Sequence, residues 1–399
     1  MEAIVIGGGI GGPITAMALE RVGIRAVVYE AHDGPADSLG LFLGLGVNGM
    51  RVLRHLDLLD PVMRADIVPT SDMVFSSWTG KRLGVVSNGW LDPKTPSITL
   101  MRGVLQRVLA EEANARGIRI HYGKRFTDYA EQDGRVVARF DDGSETEGDI
   151  LIGADGIRSR VRAAMTPGGV EPSFTGLINL GGVVPDSRMP ATTGAMHMVW
   201  GRRAFFGYTV RPGGEAWWFA NVGSDQEPDR RELAAVPSEQ WKQRLRNLFL
   251  DDPDFIMELI DATQEIGAHP IHDMPSLRRW YRDGAVLMGD AAHAVSPSAG
   301  QGASMAMEDA LVLAQCLRGA AAPRCAFTRY EELRRPRTER IVATGRRRGT
   351  YKAPKSRVAV TLRDLLMPLV FRLFVTEKSM SWIHDYQVPW EESKTGEAA

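Results

Sequence analysis

The six residues Gly7-Gly8-Gly9-Ile10-Gly11-Gly12 constrain the fold of this 399-residue chain more than any other stretch. An apolar run, Ala3 to Ile6, precedes them and reads as a buried strand. Ile14, Ala18 and Val22 then recur at helical spacing, and Gly23 stops the helix. Arg25 to Tyr29 forms a second apolar strand, closed by Glu30. This pattern predicts a βαβ unit built to hold a dinucleotide. Gly7 permits the tight turn, Gly9 lets the backbone approach a pyrophosphate, and Gly12 lets helix and strand pack closely. Ile10 and Gly11 complete the turn. Glu30 stands 18 residues past Gly12, near the position that holds a ribose hydroxyl. Pro13 is tolerated because it falls in the first helical turn.

Composition narrows the class. Lys and Arg number 48 against 49 Asp and Glu, so the balance carries no nucleic-acid footprint. The two cysteines, Cys316 and Cys325, form neither a metal spacing nor a disulfide framework, which fits a reducing cytoplasm. The chain enters its first strand directly, with no signal-peptide pattern, and no apolar run is long enough to span a membrane.

A second glycine-and-aspartate element runs from Val286 to Ala310. Ala285 to Met288 reads as a short buried strand, Gly289-Asp290 as its turn, and Pro297, Gly300 and Gly302 as loop. From Ala303 the pattern is helical, with Met307, Ala310, Leu311, Ala314 and Leu317 on one face. The free amides and positive dipole end of that helix point back at the loop, a site for negative charge. A third element, Asp149 to Arg162, places Asp155 at a strand end beside Arg158, Arg160 and Arg162, which offer positive charge to phosphates. Between the first and third elements, Met101 to Gly117 reads as a helix with Arg102 in its first turn. A cation there opposes the helix dipole, which points to another role. Arg119 to Asp149 alternates around two Asp-Gly turns, the signature of an antiparallel meander.

Together these elements resemble the single-component FAD-dependent aromatic hydroxylases, the para-hydroxybenzoate hydroxylase-like family. Gly-Asp-Ala-Ala-His followed by Pro297 and Gly300-Gln-Gly302 resembles that family's second FAD fingerprint, and Gly153 to Arg162 its Asp-Gly motif. The resemblance implies an α/β fold: a glutathione-reductase-like FAD-binding Rossmann domain with an inserted β-meander, a mixed or antiparallel β-sheet substrate domain, and C-terminal helices. The expected FAD-binding domain comprises residues 1–71, 98–170 and 269–345, the substrate domain 72–97 and 171–268, and a helical segment and tail 346–399. Non-covalent FAD is expected to meet Gly7, Gly9, Ile10, Gly11, Gly12, Glu30, Arg102, Asp155, Gly289, Asp290, Pro297, Gly300, Gly302 and Ala303. Arg158 and Arg160 are expected to meet NADPH or NADH. Pro297 would wall the oxygen side of the flavin. The implied reaction reduces FAD, adds O2 to it, and transfers one oxygen atom through a flavin hydroperoxide to a small molecule. Ser304 stands where the family often has Asn, leaving one flavin contact open. Two rival readings share the scaffold: a flavin-dependent reductase or dehydrogenase that incorporates no oxygen, and a flavin-binding protein without turnover.

The substrate region is less determinate. Residues 171 to 268 carry aromatic side chains in short strand-like runs, with a hairpin at Pro212-Gly213-Gly214. Leu45, Met198, Trp200, Phe206 and Trp218 are candidates for the substrate pocket, and His197 and Tyr208 for a catalytic acid or base. His293 lies inside a motif and reads as structural. Gly44 to Asn48, in the loop and helix of residues 38 to 59, either line the flavin or pack on the core. Glu239 to Asp261 reads as one helix, and His269-Pro270-Ile271 as the return to the first domain. Tyr330 to Arg348 reads as a solvated basic helix face. Leu362 to Val375 covers the core, touches a partner subunit, or lies on a membrane, with the first preferred. The middle sheet predicts an apolar aromatic or polycyclic substrate and a monomer or homodimer. Residues from Ser393 onward read as a disordered tail.

Overall fold

The structure is a computed structural model. It describes residues 1–35, 41–87, 91–92, 94–349, 357–373, 375 and 377–390. The start of the loop expected from residue 38 and the tail from Ser393 lie outside the described residues.

Four sheets organise the described residues. The first has six strands in the order Tyr281–Arg282, Ala285–Leu287, Ile150–Gly153, Glu2–Ile6, Arg25–Tyr29, Ile120–His121. Its inner strands are parallel. Ile150, Leu151 and Ile152 are wholly buried, as a central parallel strand covered on both faces requires. Register fixes the function of this sheet. Ile6 pairs with Gly153, and Gly153 with Leu287. The three glycine-and-aspartate turns therefore leave adjacent parallel strands at one level, the carboxyl edge where open α/β sheets bind ligands. Helix Gly11–Glu20 packs across this sheet against Arg102–Ala115 and Gly302–Arg318. The expected meander is present as Phe126–Gln132, Arg135–Phe140 and Glu145–Gly148. Asp133 and Gly134 make its first turn with φ of 51° and 75°.

The largest sheet has seven strands: Gly267–Asp273, Ser173–Val184, Ala216–Gly223, Phe205–Val210, Ala195–Trp200, Asp72–Ser77 and Arg82–Ser87. Neighbours are antiparallel except Ala195–Trp200 with Asp72–Ser77. One face carries Leu180, Val199, Phe206, Tyr208, Trp218 and Ala220 under two helices, Ser238–Phe249 and Asp254–Ala262. The other face meets the strand Phe42–Leu45, where Phe42 stacks on Trp217 and meets Phe219 edge-on. That strand belongs to a small three-stranded sheet with Ile98–Met101 and Ile67–Pro69.

Several expectations need correction. Residues 239 to 261 are not one helix: the chain breaks at Leu250–Pro253, because Pro253 cannot continue the first helix and starts the second. Residues 269 to 271 do not return to the first domain, since Gly267–Asp273 is an edge strand of the large sheet. The basic stretch from Tyr330 lies in helix Pro323–Gly349 and turns much of its charge inward: Arg334 is wholly buried. Helix Arg357–Leu373 does cover the large sheet, through Phe371 against Phe75, Trp200, Leu83 and Val86.

Candidate active site

The site is built at the carboxyl edge of the six-stranded sheet. Gly7 adopts φ +111°, and a Cβ there would lie 2.5 Å from Ala154 O, so the first turn and the Asp-Gly strand end close on each other. A Cβ at Gly12 would collide with Gly7 O. Above Gly9, by contrast, nothing among the described residues stands within 4 Å. Glu30 is nearly buried and its Oε2 accepts from Gly8 N at 2.5 Å, while Oε1 accepts from His32 N at 2.9 Å. Its carboxylate thus edges the open space over the glycine turn.

At the second turn, Asp155 Oδ2 accepts from Arg160 N at 2.7 Å and Val161 N at 3.1 Å. The other carboxylate oxygen is buried and has no partner among the described residues. Burial pushes the Asp155 carboxyl up, against the bonds from Ser159, Val161 and Arg160. An orphaned acceptor beside a glycine turn is a vacancy for a donor, and a ribityl or ribose hydroxyl supplies one. Arg162 departs from its expected role. It is buried and donates to Ala291 O at 3.0 Å and Ile157 O at 2.8 Å, so it ties the second turn to the third. Arg160 donates to Phe126 O at 3.2 Å, and Arg158 is exposed.

At the third turn Gly289 takes φ +54° and Gly300 φ +61°. Pro297 and Gly300 are exposed, and nothing stands within 4 Å above Gly300. Helix Gly302–Arg318 starts at Gln301 with no side-chain cap, so the first-turn amides at Gly302 and Ala303 remain available to an anionic group. Burial pushes the Asp290 carboxyl up, and Arg102, His293 oppose that shift, which sets the Arg102 cation near Asp290. Ser304 is buried beneath Gly46 and Gly49, and its Oγ accepts from Gly46 N at 3.2 Å. It joins the Val47–His55 helix to the Gly302–Arg318 helix. Three glycine-floored turns, an uncapped helix start, and unpaired buried carboxylate oxygen together fit FAD.

The residues beneath the third turn were not foreseen. Glu308 and Asp309 are wholly buried. Asp309 accepts from Gly289 N at 2.9 Å, from His293 Nε2 at 2.6 Å and from Arg334 Nε at 2.6 Å. Glu308 accepts from Arg334 at 2.6 Å, Arg337 at 2.8 and 2.9 Å, and Asn48 at 2.6 Å. Asn48 also donates to Gln301 at 2.8 Å. Arg337 donates onward to Trp382 O and Ile383 O, both at 2.8 Å. His293 is structural, as expected. The sequence held a signal: two acids among Met305, Met307, Ala310 and Leu311 on an apolar helix need buried cations, and arginines follow downstream.

The substrate sheet overturns several expectations. Strand alternation puts His197, Tyr208, Phe206 and Trp218 on the helix-covered face, turned from the FAD-binding sheet. Phe206 and Trp218 are core, and Trp218 Nε1 donates to Thr263 at 2.7 Å. His197 and Tyr208 line a separate cleft of about 410 Å³ with Arg82 and Phe255. Trp200 lies on the FAD-facing side but is covered by Phe371. Leu45 is buried in the FAD-domain core, and Met198 is half-buried on the FAD-facing side. The side chains that face Phe42 are instead Trp217, Phe219, Phe205, and the hydrogen-bonded pair Asn179 and Asn221 at 2.8 Å.

Known proteins agree with this geometry. Residues 1–344 match a family described as "FAD binding domain". The chain is 30% identical over 381 residues to the aurachin C monooxygenase/isomerase of Stigmatella aurantiaca, covering 93% of this chain and 94% of that one. It is 30% identical over 361 residues to the 6-hydroxynicotinate 3-monooxygenase of Bordetella bronchiseptica, covering 84% and 88%. The crystal structure of Klebsiella pneumoniae HpxO complexed with FAD and uric acid is similar with a TM-score of 0.84 and 26% identity, covering 96% of this chain and 97% of that one. By its three turns and by these likenesses, the chain belongs to the family of FAD-dependent aromatic hydroxylases and monooxygenases.

Proposed function

We propose that this monooxygenase hydroxylates a planar aromatic heterocycle held between the large sheet and the Phe42–Leu45 strand, using O2 and electrons from NADPH or NADH. The observation that carries this reading is the Asn179–Asn221 amide pair, on the sheet face that also carries Phe205 and Phe219 and meets Phe42. Aromatic walls receive the two faces of a ring. Side-chain amides offer in-plane donors and acceptors, which a ring nitrogen and its hydroxyl or oxo neighbours can satisfy. The named compounds of 6-hydroxynicotinate 3-monooxygenase and of HpxO with uric acid are heterocycles of this kind. FAD supplies hydride acceptance and oxygen activation when bound. The chain's own residues hold the cofactor, keep the site dry and orient the ring. Uncapped amides at Gly302 and Ala303 stabilise negative charge arising near them. Arg158, exposed beyond the Asp-Gly turn, meets the phosphates of the nicotinamide cofactor. The free thiols of Cys316 and Cys325 support a reducing, cytoplasmic setting for the reaction.

The test is turnover of hydroxylated pyridines, quinolines and purines under labelled O2, with NADH and NADPH in parallel. Label in the product is expected. Asn221→Leu is expected to raise KM about tenfold, the loss of roughly one well-placed hydrogen bond. Consumption of reduced nicotinamide with no labelled product would favour a reductase on the same scaffold. Turnover restricted to carbocyclic phenols, untouched by Asn221→Leu, would sink the heterocycle reading.

A further inference from the structure

We propose that helix Arg357–Leu373 docks on an anionic lipid surface through a stripe of leucines on its outer side. Its inner side is fixed to the protein: Phe371 packs on Phe75 and Trp200, and the Phe371 ring occupies the space over Gly84. Leu362, Leu365, Leu366, Leu369 and Leu373 point the other way, exposed by between 49% and 68%. They recur at the three- and four-residue spacing that aligns side chains along one helix face. A monomer that leaves five leucines in water on one stripe exposes a surface that needs a partner.

Charge selects the partner. Upstream of the stripe the sequence holds Arg346, Arg347, Arg348, Lys352, Lys355 and Arg357, with no acid among residues 345–361. Arg346 is engaged by Asp273. Arg372 stands exposed beside the leucines. Arg363 is engaged by Asp364 and Trp200 O. A second copy would carry the same positive stretch of sequence, whereas an anionic surface complements it. An anionic bilayer surface accepts both features, apolar side chains at the acyl boundary and arginines and lysines among the headgroups. Among the described residues no helix is long and apolar enough to cross a membrane. The contact is therefore interfacial. It would bring the edge of the large sheet, with Phe75 and Trp200, to within one helix diameter of the lipid, about 10 Å.

Vesicle sedimentation of the full-length, FAD-loaded protein tests the proposal. Vesicles of phosphatidylcholine alone are compared with vesicles containing about one third phosphatidylglycerol. Binding to the anionic vesicles, weakened by added salt, is expected. The double variant Leu365→Ser, Leu369→Ser is expected to bind at least about tenfold more weakly, since it removes much of the apolar anchor. Its flavin absorbance and melting temperature should stay unchanged, because both side chains lie in solvent. Arg372→Glu gives an independent reading and should also weaken binding. Failure to pellet with either vesicle, or equal pelleting of the double variant, overturns the proposal. So does a dimer in analytical ultracentrifugation that the double variant converts to monomer, which would assign the stripe to a second copy. The readout needs no turnover and stands apart from the identity of the substrate.

Discussion

A methyl group added at Gly12 has nowhere to go, because Gly7 O already occupies its position. We expect Gly12→Ala to purify without yellow colour, with FAD affinity reduced at least about tenfold, read from flavin fluorescence titration. Glycines of this kind were legible in the sequence, since a backbone requirement leaves no other residue type. Side-chain facing was not. Phe206 and Trp218 read as pocket candidates but are core, because alternation gives two faces and only the packed helices decide which one is core. Acid–base behaviour also belongs to single residues. Burial alone would raise Asp309, but His293 and Arg334 hold its carboxyl down at about 2. An unfolded Asp titrates near about 3.9. Folding stability from this group is therefore complete above that value and is lost as pH falls through it toward 2. The loss amounts to about 2–3 kcal/mol. Asp309→Asn should flatten the acid limb of a melting-temperature profile, and an unchanged profile would remove Asp309 from the account.

Helices carry the next prediction. Arg334, from helix Pro323–Gly349, is the buried cation for two carboxylates on helix Gly302–Arg318. Replacing it by leucine leaves Glu308 with Arg337 alone and Asp309 with His293 alone, and should cost about 3–5 kcal/mol, read from denaturant unfolding. Adding Glu308→Gln and Asp309→Asn to the same chain should recover part of that loss, because no buried carboxylate then lacks an arginine, while Arg337 gives up its acid. If the triple variant is no better than Arg334→Leu, the cost lies in packing instead. The basic segment from Tyr330 reads as a wetted face because a charge run in a chain of near-zero net charge usually is one. Their partners lie on another helix, which local spacing cannot reveal. Elements joined within one βαβ unit were readable for the converse reason: their signals are neighbours in sequence.

Across the molecule, distant segments meet behind the cofactor loop. Arg337 reaches Trp382 O and Ile383 O, Arg51 reaches Asp385 at 2.9 Å, and Tyr386 lies under Arg334 and Arg337. Gln301, just before the amides of Gly302 and Ala303, contacts His384 at 3.3 Å. Deleting residues from Glu377 onward should weaken FAD binding about tenfold and lower the melting temperature by several degrees, roughly the loss of one to two kcal/mol. Retention of full flavin affinity would show that the strap is dispensable. The two-layer plan was legible from the three motifs and the change in texture after residue 171. The strap was not, because its carbonyls, Asp385, Tyr386 and His384 meet partners far away in the sequence, with no local motif to mark them. Its position has a consequence for biosynthesis. The dinucleotide turn leaves the ribosome long before the strap, so a nascent chain carries an unbraced pocket over that whole interval. Truncated translation products should accumulate colourless and protease-sensitive, whereas chains that reach residue 386 can capture the coenzyme and lock it in.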